Sequence, residues 1–231
     1  MTIRYKIHRI KPNVFLVVVP DEYDRSMLFL RVQEYSESPN PKIRGQSFDI
    51  LDFIEWYTHE NKGNFTYADD WNGFNLSYKT ATECYNKLPA KFVNKYDKVF
   101  MEILTHIKKN LRNVEPALAK KAYIIGADST NSVTAHHEVF HAYYFTDDKY
   151  RSHANAMLKK HIPTNLYNKL RKNLTRIGYL DQPFTIQNEM QAYLRGRDWN
   201  HPDLLVGINK QTLRNVHRVF AESLKHFNTP D

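Results

Sequence analysis

Residues 136–142 read His-His-Glu-Val-Phe-His-Ala, and the frame His137-Glu138-Val139-Phe140-His141 constrains this chain more than any other stretch. In a helix, positions i and i+4 lie one turn apart on one face, so both imidazoles can reach a single metal ion. The neighbours suit an inward-facing helix, because Val133, Phe140, Tyr144 and Phe145 are apolar. Ahead of it runs Ala122-Tyr123-Ile124-Ile125-Gly126-Ala127, a short β-prone segment, and then Asp128-Ser129-Thr130-Asn131-Ser132. That order predicts a strand, a turn and a helix beginning near Ser132. The competing reading is two surface histidines on an ordinary helix.

A single cysteine, Cys84, excludes an intramolecular disulfide and a Cys-rich zinc ribbon. A metal held here therefore relies on His and carboxylate ligands, and Zn2+ is the expected ion. Glu138, beside the first ligand, points toward the same face without ligating. It can accept a proton from a water that the zinc has acidified and pass it later to a leaving amine. A catalytic zinc takes three protein ligands. The third is assigned to Glu189, a carboxylate in the middle of the amphipathic stretch Gln187-Asn188-Glu189-Met190-Gln191-Ala192-Tyr193, 48 residues beyond His141.

With this pairing the chain resembles the gluzincin branch of the zincin metallopeptidases, in which a Glu on a later helix completes the site. The resemblance rests on His137 to His141 and on the Asn188-Glu189 pair, about 25 residues in two helices. It implies a zinc-dependent hydrolase of peptide bonds with Glu138 as general base. In the family pattern an Asp four residues beyond the ligand Glu orients the first histidine, whereas here that position is Tyr193. The orienting group must then come from elsewhere.

Asp147 competes for the third ligand, since it stands six residues after His141 where the metzincin pattern places its last ligand. That pattern needs a Gly at the position held by Tyr144, so that the chain can turn back. His136, His153 and His161 are further spares. For the donor that stabilises an oxyanion, Tyr193 is the first choice, one turn past Glu189, ahead of Tyr143, His153, Arg195 and His217. The run Tyr123 to Ala127 is either a substrate-pairing edge strand or a central one.

Elsewhere the chain predicts an α+β fold: a small N-terminal antiparallel or mixed sheet packed against a mainly helical, zincin-like C-terminal part that carries the active-site helix. Ile3 to Ile10, Val14 to Val19 and Met27 to Val32 read as strands, with turns at Lys11-Pro12-Asn13 and Pro20-Asp21-Glu22. Ser47 to Thr58 reads as a helix capped by Ser47, 61–77 as a loop, and Asn94 to Leu111 as a long amphipathic helix. Lys149 to His161, Pro163 to Ile177, Phe184 to Leu194 and Lys210 to Phe227 read as four more helices. Residues 1–90 form the sheet-containing part and 91–231 the catalytic part, within one compact domain overall.

With 231 residues, 42% apolar and 25% charged, the chain can bury a sizeable core without a folding staple. No apolar run is long enough to span a bilayer and Met1 to Lys11 lacks the apolar core of a secretory signal, so a cytoplasmic location is expected, with no membrane partner. The net charge of +8 favours acidic partners. Lys159, Lys160, Lys169, Arg171, Lys172 and Arg176 concentrate that charge between the histidines and Glu189. An acidic protein or peptide substrate is one expectation; nucleic acid, as for a SprT-like protease, is another; a non-catalytic basic binding protein is the third.

Overall fold

The computed structural model describes residues 2–227. It is an α+β protein with eleven α-helices and one four-stranded mixed sheet among those residues. Backbone contacts divide it into two compact units, Met1–Ala135 and His136–Asp231.

The first unit holds the sheet, in the order β1-β2-β4-β3. Strands β1 (Lys6–Lys11) and β2 (Val14–Val18) form an antiparallel hairpin about Pro12 and Asn13. Strand β4 (Tyr123–Ala127) runs parallel to β2, with Val14 opposite Tyr123 and Val18 opposite Ala127. Strand β3 (Phe74–Ser77) pairs antiparallel on the other side of β4. The two inner strands, β2 and β4, are buried at every residue, which is why both read as unbroken apolar runs. β4 is therefore a central strand, and the edge alternative is corrected: its backbone groups are already paired on both sides.

Three other expectations are overturned in this unit. Met27 to Val32 is not a strand but the middle of helix α1 (Glu22–Glu37), which Asp21 caps by accepting from the Asp24 amide. Every residue from Arg25 to Tyr35 is buried, so the sequence lacks the polar stripe that marks a surface helix. The next helix, α2 (Ile50–Glu60), is capped by Asp49, while Ser47 donates its hydroxyl to the Lys87 carbonyl instead. The expected loop of 61–77 contains a short helix α3 (Tyr67–Asp70) as well as β3.

Helices α4 (Tyr78–Asn86), α5 (Lys95–Leu111) and α6 (Pro116–Lys120) complete the unit apart from a short 3-10 turn at Ala90–Phe92. α5 starts with a reciprocal cap in which the Asn94 side chain accepts from the Asp97 amide and Asp97 accepts from the Asn94 amide. The core is aromatic: Phe29 of α1 stacks on Phe74 of β3 at 5.0 Å and meets Phe100 of α5 edge-on at 5.3 Å. Inside it, Arg31 grips Asp97 with two bonds of 2.6 and 2.9 Å, and donates also to the Phe48 and Phe92 carbonyls.

Helix α7 (Val133–Thr146) begins in the first unit and runs on in the second, with Ser132 accepting from the Ala135 amide at its start. The second unit adds α8 (Asp148–His161), α9 (Thr164–Arg176), α10 (Pro183–Arg195) and α11 (Lys210–Ser223). α10 packs on α8, α9 and α11. Among the described residues no helix is long and apolar enough to cross a membrane.

Candidate metal centre

Helix α7 carries His137 and His141 into the interior of the second unit, where both are buried with Glu138 between them in sequence. The one-turn spacing brings their Nε2 atoms to 2.9 Å. Glu189, in the middle of α10, presents Oε2 at 3.6 Å from His137 Nε2 and 3.5 Å from His141 Nε2. That oxygen is buried and has no hydrogen-bond partner. Tetrahedral zinc with bonds of about 2.0–2.1 Å sets its ligand atoms about 3.4 Å apart, so the three atoms form a triangle of the size such an ion requires. Two imidazole nitrogens and one carboxylate oxygen also form the donor set of an open zinc site. Among the described residues this is the cluster of His, Cys, Asp and Glu side chains close enough to hold a metal ion.

What fixes α10 against α7 is a buried amide. Gln191 donates to the Phe140 carbonyl at 3.1 Å and accepts from the Tyr150 hydroxyl at 2.7 Å, which ties α10, α7 and α8 together. Phe140 immediately precedes His141, so this clamp acts beside the cluster.

The orienting carboxylate absent at position 193 is supplied by Asp198. Its Oδ2 lies 2.7 Å from His137 Nδ1, the nitrogen facing away from Glu189. Such a partner fixes the proton on Nδ1 and frees Nε2 to ligate. Asp198 reaches the ring because α10 stops at Gly196: a Cβ there would come within 2.5 Å of Asp198 Oδ1 and 2.8 Å of the Ala192 carbonyl. Sequence reasoning missed Asp198. Its signal was a helix-ending glycine followed two residues later by an acid, within reach of a motif that lacked its usual acid.

Tyr193 packs its ring edge-on against His137 at 4.6 Å. Tyr179 is near enough to act on both the Tyr193 hydroxyl and the Glu189 carboxylate. Tyr179 was also missed. It is delivered by the end of α9, where Gly178 takes φ +110° and the Tyr179 amide returns to the Leu174 carbonyl. An L side chain rarely adopts that angle, so the glycine sets where the tyrosine goes.

The electrostatics follow from burial and close charge. Burial alone would lower the His137 pKa, but the carboxylates of Asp198 and Glu189 beside the ring outweigh it and hold the value well above normal. Glu189 is the reverse: burial pushes its pKa up, yet the two histidines and the Tyr179 hydroxyl bring it below the usual range. Burial pushes Tyr193 up to about 12 and Tyr179 further, so both hydroxyls keep their protons at neutral pH. Glu138 is near enough to act on His137, Tyr179 and Tyr193.

The spare candidates have other partners. Asp147 caps α8 by accepting from the Lys149 and Tyr150 amides. His153 bonds to the Ser223 carbonyl, His217 to the Leu194 carbonyl, and Arg195 donates to the Ala221 carbonyl. Tyr143 packs between Phe140 and Tyr150, His136 is half-buried with its pKa lowered by burial and by Arg197, and His161 is half-buried at the end of α8. Comparison of the chain with family models, with curated proteins and with solved structures gave no match, so the site stands on its geometry.

Proposed function

We propose that this protein is a zinc-dependent metallopeptidase that hydrolyses peptide bonds with Glu138 as general base. The observation that carries the reading is the triangle of His137 Nε2, His141 Nε2 and Glu189 Oε2, backed by Asp198 on the far nitrogen of His137. Zinc, when bound, supplies Lewis acidity, which acidifies a water and polarises a carbonyl. Mixed nitrogen and oxygen donors at tetrahedral separations favour zinc over the harder divalent ions.

In this reading Glu138 takes the proton from the attacking water as the new carbon–oxygen bond forms, then returns it to the amine as the carbon–nitrogen bond breaks. Its position next to His137 and its burial keep the carboxylate close to the reacting atoms and away from bulk solvent. The Tyr193 and Tyr179 hydroxyls, both protonated at neutral pH, are the donors available to a developing oxyanion.

Purified protein is expected to hold about one zinc per chain by elemental analysis, and to lose it in the His137→Ala, His141→Ala and Glu189→Ala variants. Glu138→Gln should keep the zinc and cleave a peptide library about 10²–10⁴-fold more slowly, the usual range for a lost general base. Full activity in Glu138→Gln would sink the mechanism, and zinc retained in Glu189→Ala would sink the ligand set.

A further inference from the structure

The most basic run in the sequence is not the most available basic surface. Of its six cations, Lys169 donates to the Gly207 carbonyl, Arg171 is held by both oxygens of Asp181 at 2.6 and 2.9 Å, and Arg176 is tied to Asp203. Those three charges are engaged within the chain.

A different basic face lies on α11. Positions 214, 217, 218, 221 and 222 follow one another at helical spacing and, with Lys225 just past the helix end, form one wall of a groove of about 320 Å³, with Arg195 of α10 lining the same groove. Glu222 is its acid, and Lys225 lies 3.3 Å from both oxygens of that carboxylate. Arg214 and Arg218 are exposed and, among the described residues, meet no carboxylate. Arg195 directs its guanidinium to the Ala221 and Leu224 carbonyls and leaves a buried Nε–H without an acceptor. Arg214 and Arg218 thus line the groove without a carboxylate of their own among the described residues, while Glu222 is the acid that acts on Arg195.

We propose that this groove is an anion site that takes the phosphoryl group of a small phosphomonoester. Guanidinium groups match phosphate oxygens by paired N–H donors, and the two of Arg214 and Arg218, with the Arg195 charge behind them, match a dianion better than a lone carboxylate. The volume is that of a small-molecule pocket rather than of a track for a long polyanion. Glu222, standing on the same face, interrupts the row of cations that a continuous phosphodiester backbone would need. This site does not depend on the metal centre or on its chemistry.

The probe is inorganic phosphate, titrated calorimetrically into the full-length protein at constant ionic strength. One saturable site per chain is expected. The variant Arg214→Gln/Arg218→Gln should bind phosphate about tenfold more weakly or worse, the loss of charge-assisted hydrogen bonds, with unchanged zinc content and melting temperature because both residues are exposed. His137→Ala should bind phosphate like the unaltered protein, which keeps this test separate from the peptidase reading. Equal affinity in the double arginine variant overturns the site, and loss of binding in His137→Ala places the phosphate on the metal instead. Displacement of the phosphate by polyglutamate, or by an oligonucleotide without a terminal phosphate, as readily as by a phosphorylated sugar overturns the choice of ligand.

Discussion

An imidazole ligates through one nitrogen when the proton sits on the other, and at His137 that choice falls to Asp198. Removing the carboxylate with Asp198→Ala should weaken zinc affinity by about 10–100-fold, the usual effect of losing such a partner, read by competition with a chromophoric chelator. Unchanged affinity would mean that His137 does not need Nδ1 fixed. Gly196→Ala should act in the same direction, because its Cβ would meet Asp198 Oδ1 at 2.5 Å and, on the other side, a backbone carbonyl that cannot swing away. The double variant should be no worse than Asp198→Ala alone, since both changes remove one interaction. Additive losses would show that Gly196 does something besides seating Asp198. At this scale the cluster was legible: one-turn spacing marks His137 and His141, a mid-helix carboxylate marks Glu189, and the fold brings the three together. Asp198 and Tyr179 were not, because each arrives from a loop that follows a helix-ending glycine, and loop geometry leaves no periodicity to read.

Between elements, the triangle of donor atoms depends on how α10 is set against α7, and Gln191 makes that junction. Its amide is wholly buried with both ends engaged, one on the Phe140 carbonyl and one on the Tyr150 hydroxyl. Gln191→Leu keeps the volume but leaves the Tyr150 hydroxyl buried and unpaired, which costs about 1–3 kcal/mol. Urea unfolding of the metal-free variant should show that loss, and zinc affinity should fall with it because Glu189 rides on the same helix. Lower stability with unchanged zinc affinity would separate the clamp from the site. Helices with a polar side were readable, as α5, α8, α9, α10 and α11 attest, each within a few residues of its expected bounds. Helix α1 was not, because it is enclosed by core on every side and its run of Met27 to Val32 looks like any buried strand. β3, four residues inside a polar segment, takes its identity from pairing with β4, and no local signal announces such a partner.

For the molecule as a whole, the sequence was enough for an α+β fold with a mixed sheet in the first part. It did not disclose where buried charge would sit. Arg31 and Asp97, 66 positions apart, meet in the core of the first unit with four guanidinium N–H bonds made and both carboxylate oxygens engaged. Asp97→Ala strands a buried guanidinium and should cost about 3–5 kcal/mol in chemical denaturation, the range for breaking a buried pair. Arg31→Met with Asp97→Leu should recover most of that, because replacing both members with apolar groups removes the unpaired charge.

Glu34, buried on α1 in the same unit, has no cation acting on it among the described residues, and its consequence is a pH dependence. Burial raises its pKa above the ordinary 4.5, with Glu37 adding to the rise, while the Ser38 and Tyr67 hydroxyls oppose it without cancelling it. Between pH 4.5 and its higher folded value, the folded chain therefore holds a proton on Glu34 that the unfolded chain has released. Linkage then fixes the sign: Glu34 contributes stability in full below pH 4.5 and loses that contribution as pH rises through its higher folded value. Gln is neutral throughout and nearly isosteric, and the neighbouring hydroxyls can accept from its amide. Glu34→Gln should accordingly melt at a higher temperature than the unaltered protein at pH 7, with the gap closing as the pH falls toward 4.5. Thermal unfolding followed by circular dichroism between pH 4 and 8 measures both curves. A gap of constant size would place the effect in packing, and a lower melting temperature at pH 7 would mean that the charged carboxylate is held by more than those two hydroxyls.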